Sequence, residues 1–174
     1  MSADEQAALY RAWVEQYVGL MGRVARVYAV TEVDCQDLVQ EVLFQIWRSI
    51  PRFEGKASAS TWIYRVALNT ALAWQRKDRR RKDHFSALDE VPETAVAVIG
   101  SADGVREPEI VEQLYAAIRQ LPKAEAALVL LYLDDLSYRE MAEVLGISES
   151  NVGVKLNRAR KALAELMREV VCES

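Results

Sequence analysis

"LSYREMAEVLGISESNVGVKLNRARKAL", residues 136–163, contains in its spacing the start, the stop and the restart of a helix. Ser137 with Glu140 three positions on forms a capping box, and Leu136 and Met141 hold the two positions of a hydrophobic staple. Gly146 offers the left-handed backbone on which helices end, Ser148 supplies the next N-cap, and Ile147 with Val152 repeats the staple. At about 100° per residue the second helix places Val152, Leu156, Ala159, Leu163 and Leu166 on one buried line. Ser150, Val154, Asn157, Arg158 and Lys161 then face outward. Arginine and lysine suit phosphates or guanine, asparagine suits adenine, and an outward valine suits a thymine methyl. The pattern predicts a helix-turn-helix unit whose second helix enters a DNA major groove. The bland alternative is a helical hairpin with a solvated basic face. Gly153 costs a helix about 1 kcal/mol relative to alanine, which points to a place where the backbone is approached closely.

Working outward, the 174 residues are 51% hydrophobic, enough for one medium core or two small ones. The longest apolar run, near Ala126 to Leu133, is too short to cross a bilayer, and MSADEQAA lacks the basic start and apolar stretch of a signal peptide. No membrane insertion and a cytoplasmic location are therefore expected. Cys35 and Cys172 lie far apart, with no nearby histidine to build a metal site, and read as reduced thiols. A net charge of −4 argues against a protein that grips nucleic acid unaided. The distribution matters more. Arg65, Arg76, Lys77, Arg79, Arg80, Arg81 and Lys82 form one basic block and Lys155, Arg158, Arg160 and Lys161 another, with an acidic stretch between them.

Apolar residues recur at three and four from Leu9 to about Arg81 and again from Ile110 to Val170, while strand signals are weak throughout. One helix carries Leu38, Val39, Val42, Leu43, Ile46 and Trp47 on a wide apolar stripe and ends near Ile50, before Pro51. Residues 86–109, "SALDEVPETAVAVIGSADGVREPE", have no helical periodicity and read as a flexible acidic linker. The expected fold is all-α: two small helical domains, residues 1–85 and 110–174, each with its own basic patch.

The segment "DCQDLVQEVLFQIWRSIPRFEGKASASTWIYRVALNTALAWQRKDRRR", residues 34–81, resembles the promoter-melting domain, region 2, of the extracytoplasmic-function sigma factors, the small sigma subunits of bacterial RNA polymerase. "LPKAEAALVLLYLDDLSYREMAEVLGIS", residues 121–148, resembles the run into the recognition helix of their region 4. DLVQE, then FEGKxxxxTWIYRxxxN, then the terminal reader stand in the family's order and spacing. The long acidic extension and central third domain of larger sigma factors find no match, as expected for the smallest class.

The resemblance implies a function for each surface. The polar face of Asp37, Gln40, Glu41, Gln45 and Arg48, otherwise only a solvated helix face, would dock on the clamp helices of the largest catalytic subunit of core polymerase. The loop of Phe53, Lys56, Ser58 and Ser60, with Thr61 and Trp62 following, would capture a base flipped from the minus-ten element; stacking and edge hydrogen bonds hold such bases. Asn69 matches a family position that helps read that base, and Arg65, Arg76, Lys77 and Arg80 would follow the adjoining backbone. Trp62 also has a core reading, because 62, 66 and 73 are helically spaced. Ser148, Ser150, Asn151, Gly153, Val154, Lys155, Asn157, Arg158 and Lys161 of the terminal reader would read the minus-thirty-five element. Where many relatives have a basic residue and a serine, this chain has Gly153 and Val154, implying an unusual upstream motif or fewer base contacts there; Glu54 and Lys56 also depart, leaving the captured base open.

The family further implies an anti-sigma factor as partner, and a linker that runs through the polymerase toward the RNA exit path. With His84 as the one histidine, no Gly-rich phosphate loop and no nucleophile paired with a base, neither enzyme activity nor a cofactor is expected. From the residues alone, a polymerase-independent helix-turn-helix repressor or activator, or an adaptor whose basic patches meet acidic partners, stays open.

Overall fold

Ser2 and Thr31 start the first two helices by the same device. The backbone N–H of Glu5 donates to Ser2 Oγ at 3.2 Å while the N–H of Ser2 donates to Glu5 Oε2 at 2.6 Å, and Asp34 N–H donates to Thr31 Oγ1 at 3.1 Å. In the computed structural model, which describes residues 2–85 and 107–172, these caps open α1 (Ala3–Tyr28) and α2 (Glu32–Ser49). Pro51 cannot continue α2, and the chain tightens into a 3₁₀ turn, Ile50–Arg52, as its position predicts. After a short loop, Thr61 N–H donates to Ser58 Oγ at 3.1 Å and α3 (Ala59–Phe85) begins.

These helices form one unit around Trp13, Met21, Val24 and Tyr28 of α1, Leu38, Val42 and Ile46 of α2, and Ile63, Tyr64, Ala67 and Ala71 of α3. Each large apolar side chain so buried contributes about 1.5–3 kcal/mol against the chain entropy lost on ordering. Two amides tie helix ends across the unit: Gln6 Nε2 donates to the Trp47 carbonyl at 2.9 Å and Gln75 Nε2 to the Tyr28 carbonyl at 3.0 Å. Burial pushes the Tyr28 phenol far above its ordinary value. Cys35 is buried with Sγ 3.6 Å from the Ala25 carbonyl oxygen, while the side chain of Cys172 lies outside those described.

The second unit contains α4 (Glu107–Gln120), α5 (Lys123–Leu133), α6 (Tyr138–Leu145) and α7 (Glu149–Cys172). Helix α4 starts at Glu107, so the linker expected to reach residue 109 ends three residues sooner; a proline at position 108 is tolerated because first-turn N–H groups have no partner inside a helix. The rest of that expected linker, residues 86–106, lies outside the described residues. Helix α5 is buried all round, from Ala126 through Leu131, and is the centre of this unit. Tyr115 and Ile118 of α4, Met141 and Val144 of α6, and Val152, Leu156 and Ala159 of α7 complete the core.

Two reversals of the same kind set the angles between α5, α6 and α7. At the end of α5, Leu136 N–H returns to the Leu131 carbonyl at 3.1 Å and Asp135 N–H to that of Tyr132 at 3.1 Å, which forces Asp135 to φ 57°. At the end of α6, Ile147 N–H returns to the Ala142 carbonyl at 3.2 Å, with Gly146 at φ 67°. Between them the capping box is present, Glu140 N–H donating to Ser137 Oγ at 3.3 Å and Ser137 N–H to Glu140 Oε2 at 2.8 Å. The hydrogen bonds from the Ser137 hydroxyl and backbone hold the Glu140 carboxyl below the usual carboxylate range.

Two stability outcomes follow. Left-handed backbone costs an ordinary residue about 1–2 kcal/mol and glycine almost nothing, so Asp135→Gly should stabilise the second unit by up to about 1 kcal/mol and Gly146→Ala should destabilise it by about 1–2 kcal/mol, read from urea midpoints. Because Glu140 binds its proton less tightly when folded than unfolded, its contribution is present above the usual carboxylate range and lost as pH falls through the depressed folded value. The stability difference between wild type and Glu140→Gln should accordingly be present at neutral pH and vanish in acid.

Candidate nucleic-acid and partner interfaces

The outer face of α7 has the expected composition. Val152, Leu156 and Ala159 are buried, whereas Ser150, Asn151, Val154, Asn157, Arg158 and Lys161 are exposed; Lys155 is half-buried. Ser148 serves mainly as the cap, accepting from Asn151 N–H at 3.3 Å, with its hydroxyl 3.1 Å from that of Ser150. Arg160 stacks its guanidinium 5.1 Å from the Tyr132 ring centre and so braces α7 on the end of α5. A Cβ placed on Gly153 would meet Tyr138 Cε2 at 3.5 Å, an ordinary contact, so the close backbone approach expected at Gly153 is not imposed by the protein's own packing.

On α2, Asp37, Gln40 and Arg48 are exposed, while Glu41 and Gln45 are half-buried and linked, Gln45 Nε2 donating to Glu41 Oε1 at 2.7 Å. Sequence reasoning missed Phe44. It is 53% exposed in the middle of this polar face, with the Arg48 guanidinium 5.6 Å from its ring centre. Its place one turn before Arg48 and one turn after Gln40 was the available signal.

The loop between the 3₁₀ turn and α3 separates into structural and presented residues. Phe53 lies edge-on between Trp13, 5.0 Å between centroids, and Trp62, 5.6 Å. Trp62 Nε1 donates to Ser49 Oγ at 3.0 Å, so both its ring and its polar atom are engaged inside the unit, in keeping with the core reading. Thr61, expected to touch DNA, is fully buried and accepts from the Ser58 hydroxyl at 2.8 Å: a cap hydroxyl needs an acceptor where α3 begins, and Thr61 supplies it. Lys56, Ser58 and Ser60 keep access to solvent, and Lys56 forms an ion pair with Glu54 across Gly55, whose φ of 71° turns the loop.

Along α3, Arg65, Asn69, Arg76 and Lys77 are exposed on one face at helical spacing; the side chain of Arg80 lies outside those described. Asn69 does not join the loop. It lines a groove of about 410 Å³ between α2 and α3, together with Glu41, Gln45, Thr70, Ala73, Trp74 and Lys77. Ser60 stands nine residues earlier, roughly 13 Å along the helix axis. The groove thus joins residues expected to dock a partner with residues expected to follow DNA, a grouping that neither sequence motif shows by itself. Among the described residues no cluster of His, Cys, Asp or Glu is arranged to hold a metal ion, and no helix is long and apolar enough to cross a membrane.

A family model described as Sigma-70 region 2 matches residues 13–82, and one described as Sigma-70, region 4 matches residues 111–163. The chain is 30% identical over 147 residues to the ECF RNA polymerase sigma factor SigW of Bacillus subtilis, covering 79% of this chain and 77% of that protein. It is 29% identical over 145 residues to the ECF RNA polymerase sigma-E factor of Escherichia coli K12, covering 79% and 76%. Its fold matches the sigma factor RpoE of Bartonella quintana, solved in complex with the anti-sigma factor NepR, at a TM-score of 0.72 and 19% identity over 91% of this chain and 96% of that one.

The division of the loop has a direct test. Phe53→Ala empties the space between two indoles and should lower stability by about 2–4 kcal/mol. Lys56→Ala and Ser60→Ala, with no comparable packing to lose, should stay within about 0.5 kcal/mol of wild type, as measured by denaturant unfolding.

Proposed function

Because this chain belongs to the extracytoplasmic-function sigma factors of bacterial RNA polymerase, we propose that it directs promoter-specific initiation by a division of labour among the surfaces described above. The exposed face of α2 docks on core polymerase, the loop before α3 and the outer face of α3 hold the opened minus-ten element, and α7 reads the minus-thirty-five element in the major groove. The observation that supports this reading is the pairing, in one chain, of a helix with an exposed polar and basic face, α7, with a second helical unit that presents Arg65, Arg76 and Lys77 along α3 and an aromatic-braced loop before it. A repressor needs only the first of these.

The chemistry of RNA synthesis belongs to the polymerase. This chain contributes position and binding energy: Asp37 and Glu41 offer charge to a basic partner, Arg76 and Lys77 neutralise phosphates, and Ser60 and Lys56 offer hydrogen bonds to an unstacked base. Neutralising only a few phosphates leaves a protein of net charge −4 with weak affinity for DNA by itself, which makes promoter binding depend on the polymerase. The cytoplasm, where polymerase and promoters are, is the compartment this requires. An anti-sigma factor is the expected regulatory partner, a reading supported by the fold shared with RpoE solved in complex with one.

Run-off transcription with purified bacterial core polymerase and a pool of genomic fragments tests the proposal. Discrete starts should appear with the wild-type chain and fall at least tenfold when Asp37 and Glu41 are both changed to alanine. A specific duplex shift by the chain alone, with no polymerase-dependent starts, would instead identify an ordinary helix-turn-helix regulator.

A further inference from the structure

On the first turns of α7 the apolar side chains of Val152, Leu156 and Ala159 are 0–1% exposed, whereas Val154 is 55% exposed on the face that also presents Ser150, Asn157 and Arg158. Beside it stands Gly153, where an added Cβ would touch the ring of Tyr138, itself 45% exposed at the first position of α6. Neither residue serves the helix. Glycine and a β-branched valine are both weaker helix formers than alanine, and an exposed valine gains no burial in the free chain. An exposed isopropyl group thus stands next in sequence to bare backbone, and that backbone faces the edge of an exposed phenol ring, on a helix whose outer face otherwise carries side chains that suit phosphates and base edges.

A major groove offers one apolar group to such a surface, the C5 methyl of thymine. We propose that Val154, with Tyr138 beside the bare backbone of Gly153, is the specificity determinant by which this chain reads thymine methyl groups in its upstream promoter element. Gly153 withholds the side chain that would fill the space in front of the Tyr138 ring, and the valine supplies dispersion contact and excludes water from the methyl. Ser150 and Asn157, four before and three after Val154 on the same face, add the hydrogen bonds that fix the register of the step. This inference rests on the reading of α7 as the helix that enters the upstream duplex.

The test uses holoenzyme assembled from the full chain and core polymerase, on the promoter recovered by run-off transcription. Each thymine of the upstream element is replaced in turn by uracil, which removes the methyl group and leaves every base-pair hydrogen bond in place. Wild-type holoenzyme should bind one or two of these templates three- to fivefold more weakly, the loss expected for one buried methyl group. Val154→Ser should bind the thymine and uracil templates equally, with unchanged melting of the free chain. Equal wild-type affinity for all the uracil templates, an upstream element without thymine, or an undiminished thymine preference in Val154→Ser would overturn the inference while the starts themselves persist. Absence of polymerase-dependent starts on every template would overturn the promoter reading and this inference with it.

Discussion

A surface helix can present a chosen set of side chains only when its roll about its own axis is fixed, and in this protein a row of fully buried residues fixes it wherever a binding face is proposed. Leu38, Val42 and Ile46 hold α2, Ile63, Ala67 and Ala71 hold α3, and Val152, Leu156 and Ala159 hold α7, all at 0% exposure or within 1% of it. In α7 a slip of one residue, about 100° of roll, would put Lys155 and Arg158, or Asn157 and Arg160, where Leu156 and Ala159 are now buried, a costly burial of charge. The outward faces are therefore consequences of the inward ones. Asp37 and Arg48, Arg65 and Arg76, Asn157 and Arg158 point to solvent because the buried rows hold the other side of each helix in the core.

What was legible in the sequence was local. The Ser137–Glu140 box, the Gly146 reversal, the Ser148 cap and the Pro51 stop depend on residues within a few positions of one another, and each is present. Of the row that periodicity places on the core side of α7, Val152, Leu156 and Ala159 are buried, while Leu163 and Leu166 are half-buried. What was not legible depends on distant partners. Nothing near Thr61 shows that packing leaves its side chain fully buried, and nothing near Phe53 shows that Trp13, forty residues earlier, forms one wall of its pocket. Asn69 and Glu41 meet across one groove although each belongs to a different motif. Asp135 is a special case: its left-handed backbone is set by the two returning hydrogen bonds, where a sequence reader expects glycine.

The two units reach order by different means. The second depends on α5, apolar on every side and sheathed by its neighbours, with termini controlled by caps and reversals. In the first, three longer helices share the core, and polar ties at the helix ends, Gln6 to Trp47 and Gln75 to Tyr28, add direction to packing that is otherwise non-specific. Directional ties matter where a loop must stand at a set height above a helix, as the loop of Lys56, Ser58 and Ser60 does. Its aromatic support and its serine cap are anchored to separate parts of the same unit.

The thiol of Cys35 sits sealed against the end of α1, 3.6 Å from the Ala25 carbonyl oxygen and 5% exposed. An alkylating reagent can reach it only when α1 and α2 part, so its rate of modification measures the opening equilibrium of the first unit in the intact chain. The residue is a built-in clock for one half of the molecule. Followed by mass at the peptide that contains it, labelling would show whether core polymerase or promoter DNA slows the breathing of the first unit, with no probe introduced.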